Sequence, residues 1–263
     1  MRKIILVSAI VTAFALNAQA LEIIDDVQEE QVETQLSEVE IKIPEETTAQ
    51  TEPNLATIDE KGIDEWIKNG FAVNEPDKDG VTPLIYVITH NDNVEVVRHL
   101  IEAGADINKP AANGVTPLVA ATSIANELRL QQIMLKSLHI NNISAISEEK
   151  IAAHITSQIG RANEIIELLT DFGADVNKET PLGTPLMNAA TSDWNTQIVK
   201  LLIAAGAKVN ARDNNGRTAL FYAHMYNSPE IEILLLKAGA DTEITDRRGQ
   251  TYMDVDTVDI MEE

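Results

Sequence analysis

From about residue 55 onward, apolar positions recur in pairs of short helical bursts, each pair closed by a glycine, and one stretch contains the whole unit. Between Pro181 and Asn210 the order is Leu182-Gly183-Thr184-Pro185-Leu186, two short apolar helical patterns, then Ala205-Gly206-Ala207-Lys208-Val209-Asn210. Gly183 has counterparts at Gly80, Gly114, Gly216 and Gly249, and Gly206 has counterparts at Gly70, Gly104, Gly173 and Gly239. Both ladders step by 34, 69, 33 and 33 residues. Two independent markers holding one register predict an all-α solenoid of stacked helix-turn-helix units joined by short turns.

The residues of one unit say where its helices begin and end. Gly183 allows the positive φ of a tight turn, the Thr184 hydroxyl is placed to cap the first helix, and Pro185 stands where a helix has no use for an N–H. Leu186, Ala189 and Ala190 give that helix a small apolar face, so a neighbouring backbone can approach closely. Ile198, Val199, Leu201, Leu202 and Ile203 form a broad apolar stripe on the second helix, and Gly206 ends it in a left-handed cap.

These residues resemble the ankyrin repeat, whose consensus runs Gly-x-Thr-Pro-Leu-His-x-Ala-Ala and closes on Leu-Leu-x-x-Gly-Ala-Asp-Val-Asn. The resemblance covers about residues 55 to 263. Gly80-Val81-Thr82-Pro83-Leu84 with Gly104-Ala105-Asp106-Ile107-Asn108 matches both ends of the consensus, as does Gly114-Val115-Thr116-Pro117-Leu118 with the distant Gly173-Ala174-Asp175-Val176-Asn177. The consensus histidine is replaced by Ile85, Val119, Met187 and Phe221, which implies apolar contact in place of its usual inter-repeat hydrogen bonds.

About six units are expected in an ankyrin-repeat solenoid over 55–263. Ile63 to Lys68 with Gly70 reads as an N-terminal cap and Arg247 to Glu263 as a C-terminal cap with an acidic tail, since terminal repeats have one face in water. The 69-residue interval over 111–179 holds either two degenerate repeats or one repeat with an insertion. Two repeats are the favoured expectation. Ile133-Met134-Leu135-Lys136 imitates the end of a second helix, Lys150 to Ile155 imitates a first helix, and Gly160 falls at the inter-helix position; Leu135 and Leu168 are then core. A long projecting helical hairpin is the alternative.

Residues 1–20 carry an export signal: Arg2 and Lys3, an apolar run from Ile4 to Leu16, and the small-x-small site Ala18-Gln19-Ala20. The mature chain is expected to begin at Leu21, in the periplasm or, as the alternative, secreted. That apolar run is too short for a membrane span, and with no cysteine the fold needs no disulfide. Residues 21–54 have 11 acidic residues against Lys42 alone and read as a flexible acidic arm.

A search for chemistry returns no catalytic residue, no metal ligand set and no cofactor site. The histidines at 90, 99, 139, 154 and 224 lack metal-ligand spacing, and the glycines are accounted for by turns and caps. An enzyme is therefore not expected. The formal net charge of −22 becomes −24 once Arg2 and Lys3 leave with the signal, which excludes nucleic acid as a direct partner and favours a basic protein.

A monomeric binding module remains, and the resemblance implies binding through turn tips and the exposed side of the first helices, along a concave groove. Projected onto this chain, the first-helix positions are Tyr86 with His90, Asn188 with Ser192, and Tyr222 with Met225 and Tyr226, at i, i+3 and i+4 spacing. The tips contribute Lys78, Lys109, Lys178, Arg212, Arg247 and Arg248. Three functions fit: a periplasmic protein–protein interaction module, an inhibitor or immunity protein neutralising a basic hydrolase or toxin, and a stress-protective, chaperone-like role.

Overall fold

The computed structural model describes residues 54–137 and 145–257, with side chains except over 130–149. The export signal, the acidic arm over 21–53, the side chain of Leu135 and the tail after Thr257 lie outside the described residues. The repeats belong to one compact unit, Asn54–Asn142 with Ala152–Glu263. Of the second unit, Met1–Pro53 with Ile143–Ile151, the described part is the first turns of one helix.

The helices run α1 (Glu60–Lys68), α2 (Pro83–His90), α3 (Val94–Glu102), α4 (Pro117–Ser137), α5 (Ala145–Asp171), α6 (Pro185–Ala189), α7 (Thr196–Ala204), α8 (Ala219–Met225) and α9 (Pro229–Lys237). Short 3-10 turns occupy Asp193–Asn195 and Tyr252–Asp254, and there is no strand among the described residues. The first helices α2, α4, α6 and α8 pack on one another in that order, while α1 packs on α3 and α7 on α9.

Local chemistry starts the helices where the sequence places them. Thr184 Oγ1 accepts the Met187 N–H at 3.3 Å and Thr82 Oγ1 accepts that of Ile85 at 3.4 Å, each just before a proline at the first helical position. Gly206 takes φ +89°, the left-handed conformation expected of a helix cap. The ten glycines of the two ladders are the ten with positive φ, whereas Gly62 and Gly160 lie inside helices.

Packing follows the same register. Leu100, Leu169, Leu202 and Leu235 each stand four residues before a capping glycine, and all four are fully buried. Leu84, Leu118, Leu186 and Leu220 form a second column in the first helices. Ile85, Val119, Met187 and Phe221, at the consensus histidine position, are buried as apolar contacts. At the N-terminal end Trp66 stacks on Phe71, with ring centroids 5.4 Å apart, and closes the core.

The stretch 111–179 corrects the two-repeat expectation. Its described residues hold one helix pair, α4 of 21 residues and α5 of 27, where α2 and α3 have 8 and 9. Two repeats would require each of these helices to break, and nothing breaks them: no glycine or proline occurs from Leu118 to Ile159. Gly160 lies within α5 without positive φ. Leu168 is buried, as expected.

Asparagines at 74, 108, 177 and 210 hold the tips together, at the same spacings of 34, 69 and 33 as the glycines. Asn74 donates to the Gly104 carbonyl at 2.9 Å and accepts the Asp106 N–H at 2.7 Å. Asn177 treats Gly206 and Lys208 alike, and Asn210 treats Gly239 and Asp241 alike. Asn108 accepts the Asp175 N–H at 2.8 Å across the stretched interval, so the register survives the added length.

Candidate functional site

The first helices carry the feature that sets one face of the stack apart. Pro83–His90, the first ten residues of α4, Pro185–Ala189 and Ala219–Met225 contain no Asp, Glu, Lys or Arg. Exposed carboxylates lie instead on the second helices, among them Glu65, Glu95, Glu102, Glu164, Glu167 and Glu230, and on the tips, among them Asp79, Asp106, Asp175 and Asp241. The large negative charge of the chain is therefore not a property of the first-helix face.

Of the residues expected on that face, Tyr86 and His90 are half-buried and stack nearly parallel, with centroids 4.3 Å apart and planes 12° apart. His90 Nδ1 lies 2.7 Å from Thr89 Oγ1 and 3.1 Å from the Tyr86 carbonyl. Tyr222, Met225 and Tyr226 are also half-buried. The Tyr222 hydroxyl donates to Asp213 Oδ2 at 2.7 Å; burial and then this bond push its pKa far above the usual tyrosine range.

Two expected positions have other duties. Asn188 Nδ2 donates to Thr122 Oγ1 and Ser123 Oγ, each at 2.8 Å, which commits it to the seam between α4 and α6. Ser192 is fully buried, contrary to the exposure expected of it. The i, i+4 spacing that paired it with Asn188 does not apply, because α6 stops at Ala189 and the chain has already turned.

The tip cations divide into two groups. Lys109 Nζ donates to the Asn74 carbonyl at 2.8 Å, while Arg212 donates through Nε to Gly216 O at 3.1 Å and through Nη2 to Thr245 O at 2.6 Å. Both join one tip to another. Lys78, Lys178, Arg247 and Arg248 are exposed. Asp77, Asp213 and Asp246, in the same tips, each accept two backbone N–H groups within their own turn. Burial alone would raise the Asp246 pKa, but the Gln250 and Arg248 amides with Arg217 outweigh it and hold the carboxyl below its usual range.

One buried polar network had no sequence signal beyond an arginine on an apolar stretch. Arg161 of α5 donates through Nη1 to Gln158 Oε1 at 2.9 Å and through Nη2 to the Ile88 carbonyl, while Gln158 Nε2 donates to Asp92 Oδ1 at 2.7 Å. It thereby serves a carbonyl in the last turn of α2, one of the groups a helix leaves without an internal partner. Burial pushes the guanidinium below the usual arginine range, and Asp92 opposes the shift. Among the described residues there is no cluster of three or more His, Asp or Glu arranged to hold a metal. None of the described helices is long and apolar enough to cross a membrane.

Stacked helix pairs, a tip ladder in register and a charge-poor face define a helical repeat protein of the interaction class. The family model for ankyrin repeats matches residues 56–147 and again 148–246, and the chain belongs to the ankyrin-repeat family. Repeats of this family are protein–protein interaction modules. No curated protein matches the chain in sequence.

Proposed function

We propose that this chain is an exported protein–protein interaction module that acts in the periplasm and binds one partner across its first helices. The observation that carries the binding surface is the charge-free run of first helices, from which Tyr86, Tyr222, Met225 and Tyr226 offer rings and a thioether at half exposure. Aromatic and Met side chains on a surface poor in charge are what the centre of a protein interface uses. Export is supported by Arg2-Lys3, the apolar run that follows and Ala18-Gln19-Ala20.

The experiment is recovery of the protein from a periplasmic extract, with the wild type beside a Tyr86→Ala/Tyr226→Ala variant. The expected result is a mature N-terminus at Leu21 and a partner retained by the wild type and lost by the variant. Equal retention by both would overturn the binding surface, and recovery of the protein with Met1 intact from the cytoplasm would overturn the compartment.

A further inference from the structure

The two ends of the tip row differ in charge chemistry. At the first tip Lys78 stands among Glu75, Asp77 and Asp79, and acids outnumber the base. At the last two tips four arginines converge. Arg212 bonds Thr245 O of the following tip, the Arg247 N–H donates to Asn215 O at 2.8 Å, and Arg217 Nε lies 3.7 Å from Asp246 Oδ2.

Both aspartates between these arginines face inward. Asp213 Oδ1 accepts the Asn215 and Arg217 amides while its Oδ2 accepts the Tyr222 hydroxyl, and Asp246 Oδ1 accepts the Arg248 and Gln250 amides. Asp246 is buried, whereas Arg247 and Arg248 are exposed and pair with no carboxylate among the described residues. What this corner offers a partner is therefore the Arg247 and Arg248 guanidinium groups, with Tyr222 on Asp213 of the preceding tip and Tyr226 four residues on, at the C-terminal end of α8.

We propose that the last two tips and the adjoining edge of α8 receive a protein segment that presents carboxylates next to aromatic or apolar side chains. This rests on the reading of the first helices as the binding surface and specifies which chemistry meets their C-terminal end. A forked guanidinium matches a carboxylate in two parallel hydrogen bonds, and arginine also stacks on aromatic planes. The net charge of −22 includes exposed acids of the second helices and the tips, Asp241 and Glu243 of the last tip among them, so only a short segment that engages Arg247 and Arg248 directly avoids them. A long polyanion such as nucleic acid would meet those acids too. A basic partner, which net charge alone favours, would find its own charge type at this corner.

The test is peptide display on the full chain, with library positions varied among Asp, Asn, Lys and aromatic residues, comparing wild type, Arg247→Glu/Arg248→Glu and Tyr86→Ala/Tyr226→Ala. Neither side chain makes a hydrogen bond or ion pair among the described residues, but the Arg248 charge helps to keep the buried Asp246 ionised, so the thermal melt of the reversal variant is compared with that of the wild type to separate lost binding from lost fold. The expected result is selection of acidic, aromatic-bearing peptides by the wild type, with affinity lowered about tenfold by the double reversal and the difference shrinking at high salt. Peptides with no acidic preference, or acidic peptides indifferent to the reversal, would overturn the proposal. If such peptides are nevertheless lost on Tyr86→Ala/Tyr226→Ala, the binding surface stands and its charge chemistry falls. Indifference to every substitution would overturn both.

Discussion

The repeat over 181–212 and the stretched repeat over 111–179 share tips, caps and core columns, yet one is about twice the length of the other. Leu169 and Leu202 occupy equivalent buried places, and Asn108 reaches Asp175 as Asn177 reaches Lys208. The additional residues enter between the two helices and extend them, with no change at the tips. A solenoid fixes its register where neighbouring repeats touch, so length can be added at the inter-helix end without disturbing that contact. The stretched repeat then acquires its own anchors: Arg161 and Gln158 toward the preceding repeat, and Thr122, Ser123 and Asn126 toward the following one.

The largest expected effect tests whether the stretched repeat is bound into the stack as firmly as a regular one. Leu169→Ala and Leu202→Ala each remove a fully buried side chain from the same column and are expected to cost about 2–5 kcal/mol in denaturant unfolding. A much smaller cost at Leu169 would break the equivalence. Arg161→Ala is expected to cost about 2 kcal/mol, since it leaves the Ile88 carbonyl without that donor. Its effect belongs to the stretched repeat alone, and unchanged stability would mean the network does not hold α5 to α2.

The smallest effect on cooperativity is expected from the largest change, although it also removes the Asn126 and Gln158 anchors. Deleting 126–160 and joining Ala125 to Arg161 returns the interval of 69 to 34, the spacing of the first clear repeat. Both core columns and the tip ladder remain. The shortened chain is expected to stay soluble and to melt in one cooperative transition by circular dichroism, and two separated transitions would show that the long helices carry the coupling.

Much of this architecture was legible because its markers are backbone requirements. A left-handed turn admits few residues besides glycine, and the two glycine ladders accordingly gave the end of every second helix and every tip, whereas the first helices end without one, α8 before Asn227 at φ 51°. The asparagine ladder keeps the same spacings, but nothing in the sequence marks its side chains as bonded to the next tip. The stretched repeat was misread because Ile133 to Lys136 and Lys150 to Ile155 have apolar patterns that fit separate short helices as well as turns of long ones. The informative signal was the absence of any glycine or proline from 118 to 159. Helical spacing groups the tyrosines with the first helices, whereas Lys109 and Arg212 could not be separated from solvated cations. Their partners are carbonyls of neighbouring tips, and a carbonyl leaves no trace in a sequence.

The asparagine ladder also gives the stack a direction. Each rung is a side chain of one repeat that holds the backbone of its successor. A chain made from its N-terminus therefore presents, with every finished repeat, a waiting amide to the next one as it emerges. The first repeats act as a template and the later ones as copies laid against it, like courses of brick that each leave a key for the row above. The series stops at Glu243, which stands 33 residues after Asn210 where the next key would be and has a carboxylate in place of an amide.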